Sequence, residues 1–575
     1  MSTPNASKFA FATVLPVLHS LKNYTRQEFN DDLFAGIITA ILLVPQGIAY
    51  AILAGLPPEV GLYASILPPL IYALFGSSRT LSVGPASIAA IMIASALAAP
   101  EIQALGNPLE SAFILAAESG MIMLLMAIFR MGGLVNFISH PVLSGFTSGA
   151  SLLIIGSQIP HLFGLKEPQC SLDLTCYTDY LSGYNSVSLQ LALGSLAFLL
   201  FFGKPLTTLL QHTSLSKPMI TAISKCGPLL TVILSTLLVS HFQLQQLQHI
   251  AVVGTVPAGL PHLQISFMQM QKWRLLLPSA AFITLIAYVE SVAIAKVTAN
   301  LRAEKINPNQ ELVALGLANL ASAISGGMAI AGGFSRTMVN FSAGARTQIA
   351  MIIAAVLLAF AVMFCAPWFA NIPKAALAGI ILIAIFPLVK IRSIVHTWKY
   401  DQGDGIAELV TLLGVLILGI EEGIALGIIL TISIYLRKTS QPHIAVVGRI
   451  PDTERFRNVK RHHVETFAHL LLLRVDENIT FANINFIEEF LSNELRRQPQ
   501  TRHIVLIFTS VSDIDATGLE ALENLNGSLK AAGITLHLSE AKGPIMDKLH
   551  KTDFLQQLKP GKVFFHTQDA VKELA

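Results

Sequence analysis

The sequence predicts an α-helical membrane protein of about fourteen spans followed by a smaller α/β domain. Three observations predict it. Of 575 residues 53% are hydrophobic and only 13% are charged, with a mean hydropathy of +0.62, too apolar for a surface that faces water all round. Apolar runs long enough to cross a bilayer recur from Leu33 to Leu436. Beyond Ser440 the composition turns abruptly to mixed, charge-rich sequence.

The runs cover residues 33–56, 62–75, 81–99, 113–129, 142–165, 189–202, 229–239, 275–295, 312–331, 349–369, 375–389 and 406–436. The last is long enough for two spans, and Gly/Pro-broken segments are undercounted, so about 12 to 14 crossings are expected. Lys22 and Arg26 precede the first run and Arg437 and Lys438 follow the last. By the positive-inside rule both termini are cytoplasmic, the number is even, and fourteen fits. A multi-pass protein of a cell inner membrane is the expectation, embedded in the lipid bilayer. The polar stretch Asn23-Tyr24-Thr25-Arg26-Gln27 lacks the pattern of a cleaved signal peptide. A net charge of +3, with basic residues clustered at span ends, argues against a nucleic-acid partner. Four cysteines make no metal framework. Cys170 and Cys176 share a polar loop where a disulfide and two free thiols are both open readings.

These features divide the chain into a cytoplasmic segment (1–30), a transmembrane domain (31–438), a linker (439–462) and a cytoplasmic domain (463–575). The last alternates strand-like runs at 470–475, 503–508 and 535–538 with amphipathic segments at 483–495 and 518–531, an α/β order. His462-His463 reads as a solvated pair in the linker.

The two membrane halves share a pattern. Gln46 interrupts the first span and Glu290 a later one, an offset of 290 − 46 = 244; Ser87 and Ser335 mark two Gly/Pro-broken segments at 335 − 87 = 248. An internal repeat explains both offsets. Broken apolar segments at matching positions are the sequence pointer to a transporter's substrate site. A helix start inside the membrane leaves N–H groups unpartnered and carries partial positive charge, which suits an anion. In Ser82-Val83-Gly84-Pro85-Ala86-Ser87, Pro85 is expected in the first helical turn with Ser82 as its cap. In Gly332-Gly333-Phe334-Ser335-Arg336-Thr337, the glycines allow close approach, Ser335 offers a hydroxyl and Arg336 a full charge. Glu290 lies among apolar residues, where an ionised group costs about 3 kcal/mol or more. It reads as the carrier of a coupling proton or cation, or as half of a buried ion pair with Arg336.

The stretch Pro45-Gln46-Gly47-Ile48-Ala49-Tyr50-Ala51, then Gly55-Leu56-Pro57-Pro58-Glu59-Val60-Gly61-Leu62-Tyr63 and Gly76-Ser77-Ser78-Arg79-Thr80-Leu81-Ser82-Val83-Gly84-Pro85, resembles the signature region of the SulP family of sulfate permeases and related anion transporters. The resemblance continues through Glu290-Ser291 and Gly333-Phe334-Ser335-Arg336-Thr337 into the C-terminal domain. It implies two inverted seven-helix repeats, a core domain moving against a gate domain in an elevator-like cycle, and a homodimer. It also implies an anion held between the N-termini of the third and tenth helices. Here those starts are Pro85-Ala86-Ser87 and Gly333-Phe334-Ser335-Arg336, completed by Gln46 and Glu290. The family divides into proton-coupled sulfate uptake, sodium-coupled bicarbonate uptake, dicarboxylate uptake and anion exchange. A carboxylate at Glu290 resembles the coupled symporters. Sodium wants several hard oxygen ligands, and Ser291 and Thr298 supply few. The resemblance thus implies proton-coupled sulfate uptake without any bound cofactor, with sodium, bicarbonate or a dicarboxylate as the alternatives. It does not imply an enzyme. A passive anion channel and an anion sensor are the readings from other classes.

The C-terminal domain resembles a STAS domain, through Asp513-Ile514-Asp515-Ala516-Thr517-Gly518-Leu519-Glu520-Ala521-Leu522. The resemblance places Thr517 where anti-sigma-factor antagonists carry a phosphorylatable serine, so Asp515 and Thr517 are regulatory candidates, and a cytoplasmic protein partner is implied. The plainer reading is that Asp515 and Thr517 cap a helix.

Overall fold

The first long helix begins where the sequence satisfies its own end. In α1 (Arg26–Leu53) the Thr25 hydroxyl accepts the Glu28 N–H and the Glu28 carboxylate accepts the Thr25 N–H, a reciprocal box that uses two donors otherwise orphaned at the start. The computed structural model describes residues 24–136, 139–165, 183–213, 226–255 and 269–575, with a few isolated positions between them. Cys170 and Cys176 lie outside the described residues. The chain divides into two units, Met1–Ile428 and Ile429–Ala575.

After α1 the first half runs α2 (Pro58–Tyr63), α3 (Leu67–Phe75), the strand β1 (Val83–Gly84), α4 (Ser87–Ala98), α5 (Pro100–Ala104), α6 (Pro108–Ile128), α7 (His140–Phe163), α8 (Ser186–Phe202), α9 (Lys204–Gln211), α10 (Gly227–His241) and α11 (Leu244–Gln248). The second half answers with α12 (Met270–Leu301), α13 (Pro308–Ile324), the strand β2 (Ala331–Gly332), α14 (Phe334–Ser342), α15 (Ile349–Phe369), α16 (Lys374–Ile385), α17 (Ile391–Tyr400), α18 (Gln402–Ile417) and α19 (Ile420–Ser440). Eight helical stretches among the described residues are long and apolar enough to cross a bilayer, and the shorter apolar α4 and α10 add to them. Both halves begin with a long helix and lead into a two-residue strand and then a short helix, with α2 and α3 in between in the first half and α13 alone in the second.

Small residues bring helices into contact where lipid offers no hydrophobic drive between them. A Cβ at Gly120 of α6 would lie 2.7 Å from the Gly316 carbonyl of α13, and one at Gly316 would lie 3.0 Å from the Gly120 carbonyl. A Cβ at Gly61 of α2 would lie 1.9 Å from the Gly47 carbonyl of α1. Buried carboxylates pin the ends. Glu311 of α13 accepts the Tyr72 hydroxyl, the Ser77 N–H and hydroxyl and the Ser78 N–H at 2.7–3.1 Å. Asp32 of α1 accepts the Tyr24 hydroxyl, the Arg346 and Thr347 N–H groups and the Thr347 hydroxyl.

The second unit holds a six-stranded sheet of β3 (Ile444–Arg449), β4 (Phe456–Asn458), β5 (Leu470–Val475), β6 (His503–Ile507), β7 (Thr535–Ser539) and β8 (Val563–Phe564), in the order β4-β3-β5-β6-β7-β8. The pairs β5–β6, β6–β7 and β7–β8 are parallel, which is why β5 reads as an almost unbroken apolar run. The helices α20 (Ile484–Arg497), α21 (Ala516–Ala531), α22 (Gly543–Leu549) and α23 (Phe554–Leu558) contribute Ile487, Leu522, Ile545 and Phe554 to one core, while Ala570 and Val571 of α24 (Thr567–Leu574) belong to another with Val505 and Ile507. The stretch 439–462, expected to be a linker, carries β3 and β4. Ile444-Ala445-Val446-Val447 is an ordinary strand whose apolar side chains join both cores. His462 and His463 are exposed, as expected of a solvated pair.

Candidate functional site

Both breaks are extended segments that meet. β1 and β2 pair antiparallel, with Val83 opposite Gly332 and Gly84 opposite Ala331, and the Gly333 N–H donates to the Ser82 carbonyl at 2.9 Å. The helices that follow, α4 and α14, therefore begin from one shared ladder. Side chains of the second half fasten the first break: the Thr337 hydroxyl accepts the Ser82 N–H at 3.0 Å, Asn340 donates to the Thr80 carbonyl, and Gln348 donates to the carbonyls of Ser78 and Leu81. The second break is held from within its own half, where the Ile330 and Gly332 N–H groups donate to Asn319 of α13 and Ser291 of α12.

Two expectations are corrected here. Ser82 does not cap a helix; its N–H and carbonyl belong to the cross-break ladder, and Ala86 is the N-cap of α4, with no side-chain cap bond. Pro85 stands two residues before the helix instead of in its first turn. There its carbonyl is free to accept from Arg336 Nη1 at 2.5 Å.

Arg336 is the centre of the site. It is 1% exposed, and its Nε and Nη2 are buried without a hydrogen-bond partner. A guanidinium carries five donors in a planar fork, so the Pro85 carbonyl leaves the Nε/Nη2 edge unused. Two glycines make room for it. A Cβ at Gly333 would lie 2.7 Å from Nη2, and one at Gly84, whose φ is +157°, would lie 3.5 Å from it. Ser87 is half-buried at the start of α4, while Ser335 and Phe334 are exposed at the start of α14. Gln46 is buried on α1, the helix that packs on both α4 and α14.

Glu290 sits on α12 with Oε2 buried and unpartnered. Arg336 is the charged group that acts on it, yet the hydrogen bond from Arg336 goes to Pro85 and not to Glu290. Tyr50, one turn beyond Gln46, is buried, interacts with Ser87 and lies in the field of both Arg336 and Glu290. Tyr50, Thr337 and Ser291 all stand in the motifs quoted above, but sequence reasoning gave Tyr50 and Thr337 no role and weighed Ser291 only as a sodium ligand, because no local signal says what a buried hydroxyl bonds to. Ser291 and Thr298, weighed as sodium ligands, both donate to carbonyls of their own helix, Ser291 to Ala287 and Thr298 to Ile294.

In the second unit Asp515 is the N-cap of α21. It accepts the Gly518 N–H at 2.7 Å and the Phe481 N–H at 2.9 Å. Thr517 is exposed in the first turn. Asp513 is bound by Lys548, whose ammonium holds that carboxyl below its ordinary pKa.

Residues 29–411 match the Sulfate permease family and residues 461–572 match the STAS domain. The chain belongs to the sulfate permease family. Its curated relatives include sulfate transporter 4.1, chloroplastic, of Arabidopsis thaliana, 31% identical over 97% of this chain and 82% of that protein. Sulfate transporter 1.2 of the same plant is 30% identical over 99% of this chain and 89% of that protein. Among solved structures, the murine solute carrier 26 family member A9 anion transporter in the inward-facing state superposes with a TM-score of 0.89 at 21% identity, covering 100% of this chain and 95% of that one. The transmembrane domain of the cyanobacterial bicarbonate transporter BicA gives 0.60 at 23% identity over 70% of this chain and 98% of that one. This sulfate permease family member is thus an integral multi-pass membrane protein, an anion transporter with a helical transmembrane core and a C-terminal α/β STAS domain.

Proposed function

We propose that the protein is a secondary active transporter that takes up sulfate with protons, holding the anion between the starts of α4 and α14 and moving it by an elevator-like alternating-access step. The observation that carries this reading is the unused Nε/Nη2 edge of a fully buried arginine, set where two broken helices begin. A buried charge costs several kcal/mol unless it is paired. Two parallel N–H groups fit two oxygens of a tetrahedral oxyanion, and the first-turn N–H groups of α4 and α14 supply further donors. Gln46, Ser87 and Ser335 are the neutral side chains assigned to the same anion, with Ala86, Gly333 and Phe334 giving it main chain and Pro85, which has no N–H, holding Arg336 in place through its carbonyl.

The sign of the coupling follows from charge. Glu290 is faced by Arg336 of α14 and Tyr50 of α1. Ionised, it offsets the arginine and repels a dianion; protonated, it leaves the whole charge to the substrate. Sulfate affinity then rises as the pH on the loading side falls. The full-length likeness to sulfate transporters supports the substrate. Both termini cytoplasmic, an inner-membrane location, a homodimer and a cytoplasmic protein bound through the STAS domain belong to the same proposal, as does the absence of enzymatic chemistry.

Purified protein in liposomes tests it. Radiolabelled sulfate is expected to accumulate under an inward proton gradient and to leak away when a protonophore is added. Accumulation that follows a sodium gradient, or that takes bicarbonate or a dicarboxylate in preference, would overturn the assignment. Flux that only runs downhill would make the protein a channel. Uptake left intact by deletion after Thr439 while a transcriptional response disappears would favour a sensor.

A further inference from the structure

Beyond the direct field between Glu290 and Arg336, a bonded path that joins the helix of the carboxylate to the anion seat would couple the two mechanically. Glu290 and Arg336 stand on different helices, α12 and α14, and the buried unpartnered atoms of each show that they share no hydrogen bond there. A hydrogen bond does tie the main chain leading into α14 to α12, through Ser291. Ser291, next to Glu290 and fully buried, donates its hydroxyl proton to the Ala287 carbonyl at 2.5 Å and accepts the Gly332 N–H at 2.8 Å. The contact is close: a Cβ at Gly332 would lie 3.1 Å from the Ser291 Cα and 2.8 Å from Leu81. From Gly332 the path to the anion seat is short and stiff. The Gly333 N–H is bonded to Ser82, the Gly333 carbonyl accepts the Thr337 N–H at 2.9 Å, and Arg336 lies on that first turn.

We propose that Ser291 is a positioning residue that passes the protonation state of Glu290 to Arg336, through the Gly332 N–H and the first turn of α14. This rests on the assignment of Glu290 as the proton carrier. A serine does this where alanine would not, because its one oxygen is bonded at once to its own helix and to the strand of the break. A small displacement of α12 on loss of the Glu290 proton therefore moves the main chain that orients the guanidinium. Among the described residues, the titratable groups facing Glu290 are Arg336 of α14 and Tyr50 of α1.

The test is the pH profile of the sulfate KM, measured with the full-length protein in liposomes. In wild type the KM is expected to be lower at pH 5 than at pH 7.5 by about tenfold, the scale of an ordinary coupling between two sites. In Ser291→Ala the ratio is expected to collapse to within about twofold, and Ser291→Thr, which keeps the hydroxyl, should restore it. A residue needed only for packing would lower uptake at both pH values and leave the ratio alone. Hydrogen exchange of the segment 328–337 gives a second readout that needs no serine variant: its protection should change between pH 7.5 and pH 5 in wild type and stay constant in Glu290→Gln. If Glu290→Gln keeps the wild-type KM ratio, the proton-carrier assignment itself fails. If Glu290→Gln abolishes the ratio but Ser291→Ala preserves it, or the exchange of 328–337 is indifferent to pH in wild type, the relay through Ser291 is overturned alone.

Discussion

Arg336 and its two glycines make sharp demands at the scale of single residues. A lysine at 336 keeps the charge but has no planar edge, so Arg336→Lys is expected to weaken sulfate binding by about tenfold or more, read as KM at fixed pH in liposomes. Gly333→Ala keeps the extended backbone of the N-cap, at φ −93°, but puts a methyl group 2.7 Å from Nη2, so that the guanidinium must shift. It should raise the KM by a similar factor without lowering the melting temperature of the purified protein; an unchanged KM would show that the guanidinium edge is not the seat. These residues were legible in sequence, because Gly-Gly before an arginine in an apolar stretch has few explanations. The bonding roles of Ser291, Thr337 and Tyr50 were not, since a buried hydroxyl is common in membrane helices and its partner here lies up to 255 positions away.

Among elements, the breaks depend on carboxylates far from the anion. Glu311 alone fills the donors of Tyr72, Ser77 and Ser78, fixing the turn between α3 and β1. Glu311→Ala orphans those donors at once, and with each buried unsatisfied group costing about 1–3 kcal/mol, the apparent melting temperature in detergent should drop by several degrees with uptake lost. Glu311→Gln, which keeps an acceptor, should recover part of both. An alanine variant as stable as wild type would show that the turn holds itself. The apolar runs predicted most spans because burial in lipid demands length and apolarity. They misplaced the start of α4 because its determinant is a ladder with a segment some 250 residues away, and they missed β3 because four apolar residues after a charged helix end look like a tether.

The whole molecule adds a soluble unit with its own acid sensitivity. The Lys562 N–H donates to His537 Nδ1 at 3.1 Å, so the ring proton sits on Nε2, which faces His503 Nδ1 at 3.2 Å. Burial, then the neighbouring His503, lowers the His537 pKa from 6.5 to about 4. The folded ring stays neutral while the unfolded one takes a proton near pH 6.5. Folding stability is therefore lost as pH falls from about 6.5 to about 4 and is flat above that window. Hydrogen exchange of residues 535–575 in the full-length protein should rise across the window, after correction for the intrinsic rate, and His537→Gln, which can keep both hydrogen bonds, should flatten the change. Deletion after Thr439 is a separate expectation at this scale. Because every residue assigned to the anion lies before it, the loss should fall on assembly or regulation, with the KM within about threefold of wild type; a KM raised far beyond that would place part of the site in the STAS domain.

The sequence by itself determined the class of the protein, the position of its two breaks, the lone charges Glu290 and Arg336 and the α/β tail. All of these follow from local composition, since a bilayer or a parallel sheet rejects polar residues that have no purpose there. Tertiary structure alone decided which groups meet: that β1 and β2 pair, that Arg336 spends one donor on Pro85 and keeps an edge free, and that Ser291 joins the helix of Glu290 to the strand before α14. Hydrogen bonds between residues tens to hundreds of positions apart are set by how whole helices pack, and no local pattern encodes them.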